Sequence, residues 1–101
     1  MSKRKTRKKV RVPIPEYSAA QYKRAVGFVL RKLRLKFRVT QEKAAAEVGM
    51  DRAHLARWEQ GRYDPGSYRL IKLAGYYDCT VMDLFERIEK RAKMYRAGTK
   101  S

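Results

Sequence analysis

The chain has 101 residues, room for one small domain, and carries 26 Lys and Arg against 10 Asp and Glu, a formal charge of +16. That surplus repels itself unless a polyanion neutralises it, so nucleic acid is the first partner to consider and an anionic membrane surface the second. No apolar run approaches the roughly 18–20 residues that span a bilayer, the basic N-terminus lacks the apolar core of a secretory signal, and the one cysteine, Cys79, can form no internal disulfide, which fits a reducing cytoplasm.

Residues 1–11, MSKRKTRKKVR, hold seven basic side chains and no acid; removing those seven charges from +16 leaves +9 for the remainder, which is therefore basic in its own right. So dense a like-charged run is expected to be disordered when free. Val12-Pro13-Ile14-Pro15 follows, and two prolines in four residues favour an extended linker. The reading is a basic tail and linker over 1–15, a helical domain over 16–85 and a helical extension with a tail over 86–101.

The first helix begins near Ser18, because Ser18-Ala19-Ala20-Gln21 has the form of a capping box. Val26, Val29, Leu30, Leu33 and Phe37 then recur at helical spacing as one apolar stripe. Phe28 and Leu35 point away from that stripe. They are expected to pack on the Val12–Tyr17 linker or the fifth helix, or to lie in a dimer contact; scattered surface apolars are the plainer alternative.

Thr40 caps a short second helix, Gln41 to Val48, closed by Gly49. Asp51 caps a third that ends near Gln60, with Gly61 as its stop. Residues 62–66, Arg-Tyr-Asp-Pro-Gly, read as a turn. A fourth helix runs from about Ser67 to Tyr77 with Leu70, Ile71, Leu73, Ala74 and Tyr77 inward. A fifth starts at Thr80–Asp83 and keeps Val81, Leu84, Phe85, Ile88, Ala92 and Tyr95 on one face. The whole is an all-α chain with short connections. The face from Ile88 to Tyr95 must be covered by the first helix or by a second subunit, and dimerisation through this helix is the expectation.

Helices two and three, joined at Gly49, form a helix-turn-helix pattern. Ala44, Ala45 and Val48 can pack on Leu55 and Trp58, which point inward. Ala53 and Arg57 then point outward, Arg52 and Ala56 flank them, and His54 lies toward the Trp58 edge. A helix presented in this way fits a DNA major groove.

Arg34, Thr40-Gln41-Glu42-Lys43-Ala44-Ala45, Gly49-Met50-Asp51-Arg52, Leu55, Arg57-Trp58-Glu59-Gln60-Gly61 and Pro65 together resemble the helix-turn-helix family of lambdoid phage repressors, Cro and related bacterial regulators. The resemblance spans about residues 25–85. It implies a five-helix, lambda-repressor-like DNA-binding domain, usually a dimer on two half-sites about 34 Å apart. It also implies a phosphate contact for Gln41 and base or phosphate contacts for Arg52, Ala53, His54 and Arg57. Arg34 and Glu59 match a charged pair tying helix 1 to the end of helix 3, in which Glu59 is structural and aims Arg34 at a phosphate. The chain departs from the family pattern at Ala44, where a leucine is usual, at Arg38 and Asp78, where glycines are common, and at Lys43, a frequent glutamate. Local strain is expected at Arg38 and Asp78, and an incomplete capping box at Lys43.

Arg52 and Arg57 could each make a bidentate contact to guanine, against the plainer reading of solvated arginines. Ala53 either meets a thymine methyl or is simply a good helix former. His54 either donates to a phosphate or covers Trp58. Arg62 is assigned to phosphates. Lys3, Arg4, Lys5, Arg7, Lys8 and Lys9 are read as an arm along DNA, with a localisation or solubility signal, or idleness, as alternatives. Cys79 is read as a buried, inert thiol rather than a redox sensor.

With one histidine and no paired acids, neither catalysis nor a metal site is indicated, and no cofactor. The expected partners are double-stranded DNA, a second copy, and a protein such as polymerase or a toxin; no membrane is expected. The function that follows is a cytoplasmic, nucleoid-associated, sequence-specific transcriptional regulator, more a repressor than an activator. An antitoxin carrying the same domain, or a non-specific basic nucleic-acid-binding or architectural protein, are the alternatives.

Overall fold

A computed structural model describes residues 12–98, and the six basic tail positions assigned to DNA lie outside them. Five helices follow in order: α1 (Ala19–Lys36), α2 (Gln41–Glu47), α3 (Arg52–Glu59), α4 (Ser67–Tyr76) and α5 (Val81–Arg96). Among the described residues there is no strand, and no helix is long and apolar enough to cross a membrane.

Side chains chosen for the purpose start four of these helices. Ser18 Oγ accepts from the Gln21 amide at 3.0 Å while Gln21 Oε1 accepts from the Ser18 amide at 2.8 Å, so both halves of the capping box form. Thr40 and Thr80 each accept from the amide three residues on, at 3.0 Å. At Thr40 the return half is missing, because Lys43 has no acceptor to offer the cap amide. Asp51 accepts a long 3.5 Å bond from Ala53. The α4 start has no side-chain cap; Gly66, at φ 85°, turns the chain into it.

The turns after α1 and α4 use left-handed backbone at residues that carry a Cβ: Arg38 has φ 54° and Asp78 φ 57°. This is the strain anticipated where glycine is usual. Gly49 and Gly61 occupy the same region at φ 71° and 76°, which places the stops of α2 and α3 where the sequence set them.

One core joins all five helices. It comprises Ala25, Val26, Val29, Leu30 and Leu33 of α1, Ala44 and Ala45 of α2, Leu55 and Trp58 of α3, Leu70, Leu73 and Ala74 of α4, and Leu84, Ile88, Ala92 and Tyr95 of α5, with Val48 and Tyr77 at helix ends. Of the residues placed inward by periodicity, Val81 and Phe85 are half-buried against this core and two others are exposed. Ile71 is 51% exposed, because Leu70, Leu73 and Ala74 already define the buried stripe of α4 and residue 71 sits about 100° round from Leu70. Phe37 is 42% exposed, because the helix ends at Lys36; its ring instead leans on Tyr77 at 5.9 Å between centroids.

The core continues without a break past residue 85. Ile88 and Ala92 are buried and Tyr95 nearly so, all within one chain. Their cover is α1, whose Arg24 guanidinium lies 3.9 Å from the Tyr95 ring centroid. Of the two covers expected for this face, α1 is the one present, so its burial requires no second copy. The linker is tied to the same end of α5: Glu16 pairs with Arg96 at 3.0 Å, and the Tyr17 hydroxyl donates to Glu89 at 3.1 Å. Phe28 does meet α5, under Arg91, whereas Leu35 remains half exposed.

Candidate nucleic-acid interface

Leu55 is fully buried and Trp58 is 6% exposed, so α3 is fixed by the two residues assigned to hold it. Its opposite side carries Arg52 and Arg57, both exposed, with Ala53 and Ala56 half-buried between and beside them. Small residues at Ala44 and Ala45, both buried, let α3 approach α2 closely. Ala44, where a leucine is usual, is fully buried in the same core as the Trp58 indole.

A polar chain then fixes α3 to its neighbours. Arg34 grips Glu59 with two parallel bonds, Nε to Oε2 at 2.7 Å and NH2 to Oε1 at 3.0 Å, while its NH1 donates to the Val39 carbonyl at 2.9 Å. Glu59 Oε1 also accepts from Gln41 Nε2 at 2.9 Å, and Gln41 Oε1 accepts from Arg52 NH1 at 3.1 Å. The Glu59 side chain is 2% exposed and that of Arg34 11%. Hydrogen bonding to Glu59 raises the Arg34 guanidinium above its ordinary range, outweighing the desolvation that lowers it.

This arrangement bears on two assignments. Three of the five Arg34 N–H groups donate inward, so Arg34 ties α1 to α3 and to the Val39 backbone, and its two remaining N–H groups are left for an outer acceptor at the edge it shares with Gln41 and Arg52. Gln41 stands at the first turn of α2 with its carboxamide spanning Glu59 and Arg52, so it aims Arg52 as well as facing out. The family resemblance brought Arg34 and Glu59 together; it did not show that the chain of bonds runs on to the outward arginine.

His54 is exposed and its ring stacks on Trp58, centroids 6.1 Å apart and planes 15° from parallel. It thus covers the indole edge, and its polar atoms remain at the α3 surface. Arg69, on the first turn of α4, has its guanidinium 5.9 Å from the same indole. Arg57, Trp58, Tyr63, Asp64 and Arg69 line a concavity between α3 and the turn that follows it. Arg62, in that turn, is exposed. Tyr63 and Arg69 were not singled out in the sequence, because neither belongs to the periodic pattern of α3 and only the turn brings them beside it.

Gly27 is the other residue that sequence reading passed over. A Cβ there would stand 2.6 Å from the Trp58 and Glu59 carbonyl oxygens. α1 therefore lies directly against the end of α3 at that point, which sets how far the outward face projects. A glycine inside a helix costs about 1 kcal/mol against alanine, and that cost was the available signal of a close backbone approach. Cys79, between α4 and α5, is half-buried, and burial pushes its thiol above the ordinary range, in keeping with an unreactive side chain.

A helix-turn-helix family model matches residues 30–84, from the middle of α1 to the first turn of α5. Two proteins of the archaeon Archaeoglobus fulgidus, each described as an uncharacterised HTH-type transcriptional regulator, are 34% and 32% identical to this chain over 56 residues. That span is 55% of this chain and 80% and 79% of theirs. Residues 30–84, the part the family model matches, contain the whole polar chain from Arg34 to Glu59 and both helices of the turn. The five-helix architecture is that of the lambda repressor, and the chain belongs to the helix-turn-helix family of the XRE and Cro type.

Proposed function

We propose that the protein is a transcriptional regulator that binds double-stranded DNA sequence-specifically, with α3 in the major groove and α2 across the backbone. The single observation that carries this reading is the pose of α3. It is anchored by Leu55 and Trp58, locked by Glu59, and turns Arg52, Ala53 and Arg57 outward. Arginines so placed can pair bidentately with guanine, each good pair discriminating by about 1–3 kcal/mol. His54, Arg62 and Gln41 lie beside them at phosphate-contacting positions, and the basic residues of the tail add affinity without sequence choice.

The regulator acts as a homodimer on two half-sites about one DNA turn apart. Since α1 already covers the inner face of α5, a second copy has to use other apolar surface, such as Ile71 and Met82, which are 51% and 72% exposed. Repression by occupying a promoter is the simplest outcome for a domain of this size, in the cytoplasm where the DNA is.

Selection from random duplexes tests the proposal. The expected result is a short recurring sequence repeated with two-fold symmetry at a spacing of about 10 base pairs. Enrichment of no sequence over the starting pool would leave only non-specific binding and would sink the reading.

A further inference from the structure

The flank of α1 away from α3 carries a second cationic surface that the DNA reading does not use. Gly27 and Arg34 mark the side of α1 that meets α3. Lys36 is two residues past Arg34, about 200° further round the helix, so it belongs to the other flank. There α1 and α5 enclose a groove whose walls are Lys32, Lys36, Arg87, Lys90 and Arg91 and whose floor includes Phe28 and Met94. A second depression adjoins it, shares Phe28, Lys32 and Lys36, and extends the surface to Arg31 and Leu35. No acidic side chain lines either one. Among the described residues, the acid that pairs with the cluster is Asp83, 3.2 Å from Arg87.

Two details mark this surface as more than a solvated basic face. Its apolar part is half open: Leu35 is 50% exposed, and Phe28 and Met94 are only half-buried. Its cations are also not fully satisfied. The Arg91 guanidinium rests on the Phe28 ring, 3.7 Å from the centroid, and its NH1 is withdrawn from solvent without a hydrogen-bond acceptor among the described residues. A buried donor left without an acceptor is costly, so the Arg91 guanidinium gains by turning toward a carboxylate that arrives in the groove it lines.

We propose that the groove between α1 and α5 docks an acidic segment of a partner protein. Its carboxylates pair with Lys32, Lys36, Lys90 and Arg91, and its apolar side chains settle on Phe28, Leu35 and Met94. Charge complementarity selects this occupant. A second copy carries the same +16 and meets the groove with like charge, and neither terminal stretch of this chain, 1–11 or 99–101, contains an acid. A phosphodiester backbone matches the cations but has nothing to place on the apolar floor, and a bilayer surface does not enter a groove. An acidic amphipathic segment answers both features, in the manner of a helix laid in a groove.

The test uses the full chain as bait for a displayed library of random 16-residue peptides. The counter-bait is Lys32→Gln/Lys90→Gln, two exposed positions whose replacement leaves the core intact. Selected peptides are then measured against wild type, the counter-bait and Leu35→Gln, which removes apolar surface without changing charge. The same three proteins are titrated with a 20-base-pair duplex. The proposal expects peptides in which acids alternate with leucine, isoleucine or aromatic residues. Their affinity should fall at least tenfold on the double variant and several-fold on Leu35→Gln, with duplex affinity unchanged on Leu35→Gln. Three outcomes overturn it: no peptide distinguishes the two baits; the retained peptides are acidic but lack apolar residues; or Leu35→Gln weakens the duplex as much as the peptide, which assigns the groove to nucleic acid.

Discussion

Arg34 and Glu59, 25 positions apart in the chain, meet through a bidentate ion pair of 2.7 and 3.0 Å that is almost closed to solvent. The pair joins the last turn of α1 to the last residue of α3, and Gln41 joins it from α2. Removing one member of a buried pair leaves the other charged and unpartnered, at a typical cost of about 3–5 kcal/mol. Glu59→Ala should therefore lower unfolding stability by roughly that amount in urea denaturation. It should also weaken DNA binding at every site sequence alike, since it frees α3 and Gln41 without touching a base. Unchanged stability would mean that the pair is not a structural tie.

Gly27 gives a second way to displace α3 without altering its surface. Alanine there favours the helix by about 1 kcal/mol, yet its Cβ would meet two backbone carbonyls at 2.6 Å, which cannot yield as a flexible side chain would. Overpacking of this kind costs about 1–3 kcal/mol. Gly27→Ala is expected to lower the thermal midpoint in spite of the better propensity, and to reduce discrimination between cognate and unrelated duplexes. A raised midpoint would show that α1 can move away at no cost.

What the sequence disclosed, and what it hid, follows from the range of the interactions. Caps and stops were legible because they act within four residues: Ser18 with Gln21, Thr40 with the Lys43 amide, Gly49 and Gly61 closing their helices. The inward pair Leu55 and Trp58 was legible from helical period alone. Ile71 was misplaced because an apolar residue next to Leu70 reads as core by type, although its angle on α4 is wrong. The close approach at Gly27, the run of bonds from Glu59 through Gln41 to Arg52, and the approach of Arg69 to Trp58 depend on how separate helices cross. No local pattern encodes that crossing. The cover of Ile88 to Tyr95 was left between two candidates for the same reason, and α1 supplies it.

Arg38 and Asp78 make a matched comparison of backbone strain. Both hold left-handed φ, 54° and 57°. A residue with a Cβ pays about 1–2 kcal/mol there, less for aspartate, whose short polar side chain tolerates that region. Arg38→Gly should raise stability by about 1 kcal/mol net of the extra freedom glycine gives the unfolded chain, and Asp78→Gly by less. Chemical denaturation of the two single variants checks the order. The reverse order would place the strain elsewhere in these turns.

On the outward side, the two arginines of α3 should separate in binding assays. Arg52 is held by Gln41 and stands at the start of α3, whereas no protein side chain in the described residues bonds Arg57. Arg57→Ala is expected to flatten preference at one base position per half-site, a loss of about 1–3 kcal/mol on the cognate duplex, with non-specific binding mostly retained. Gln41→Ala should act through Arg52 and lower affinity without erasing a preference at the Arg57 position. Uniform weakening of every duplex by Arg57→Ala would reassign that residue to a phosphate.

Tyr77 carries the clearest pH dependence. The side chain is 1% exposed and its hydroxyl has no hydrogen-bond partner among the described residues. Burial, followed by the Glu59 charge, pushes its ionisation well above the ordinary value of 10. Below pH 10 both states hold the proton and stability does not respond. As pH rises past 10 the unfolded chain loses the phenolic proton while the folded chain keeps it, so the unfolded state binds fewer protons and stability falls. One such group contributes a slope of at most about 1.4 kcal/mol per pH unit. Tyr77→Phe removes both that slope and the unpaired hydroxyl. It should raise stability at pH 7 by about 1 kcal/mol, the cost of an unsatisfied buried group. Between pH 10 and 12 the gap should widen in its favour. Urea denaturation at pH 7, 10 and 11 measures both effects, and a variant that is less stable than wild type at pH 7 would reveal a partner for the hydroxyl.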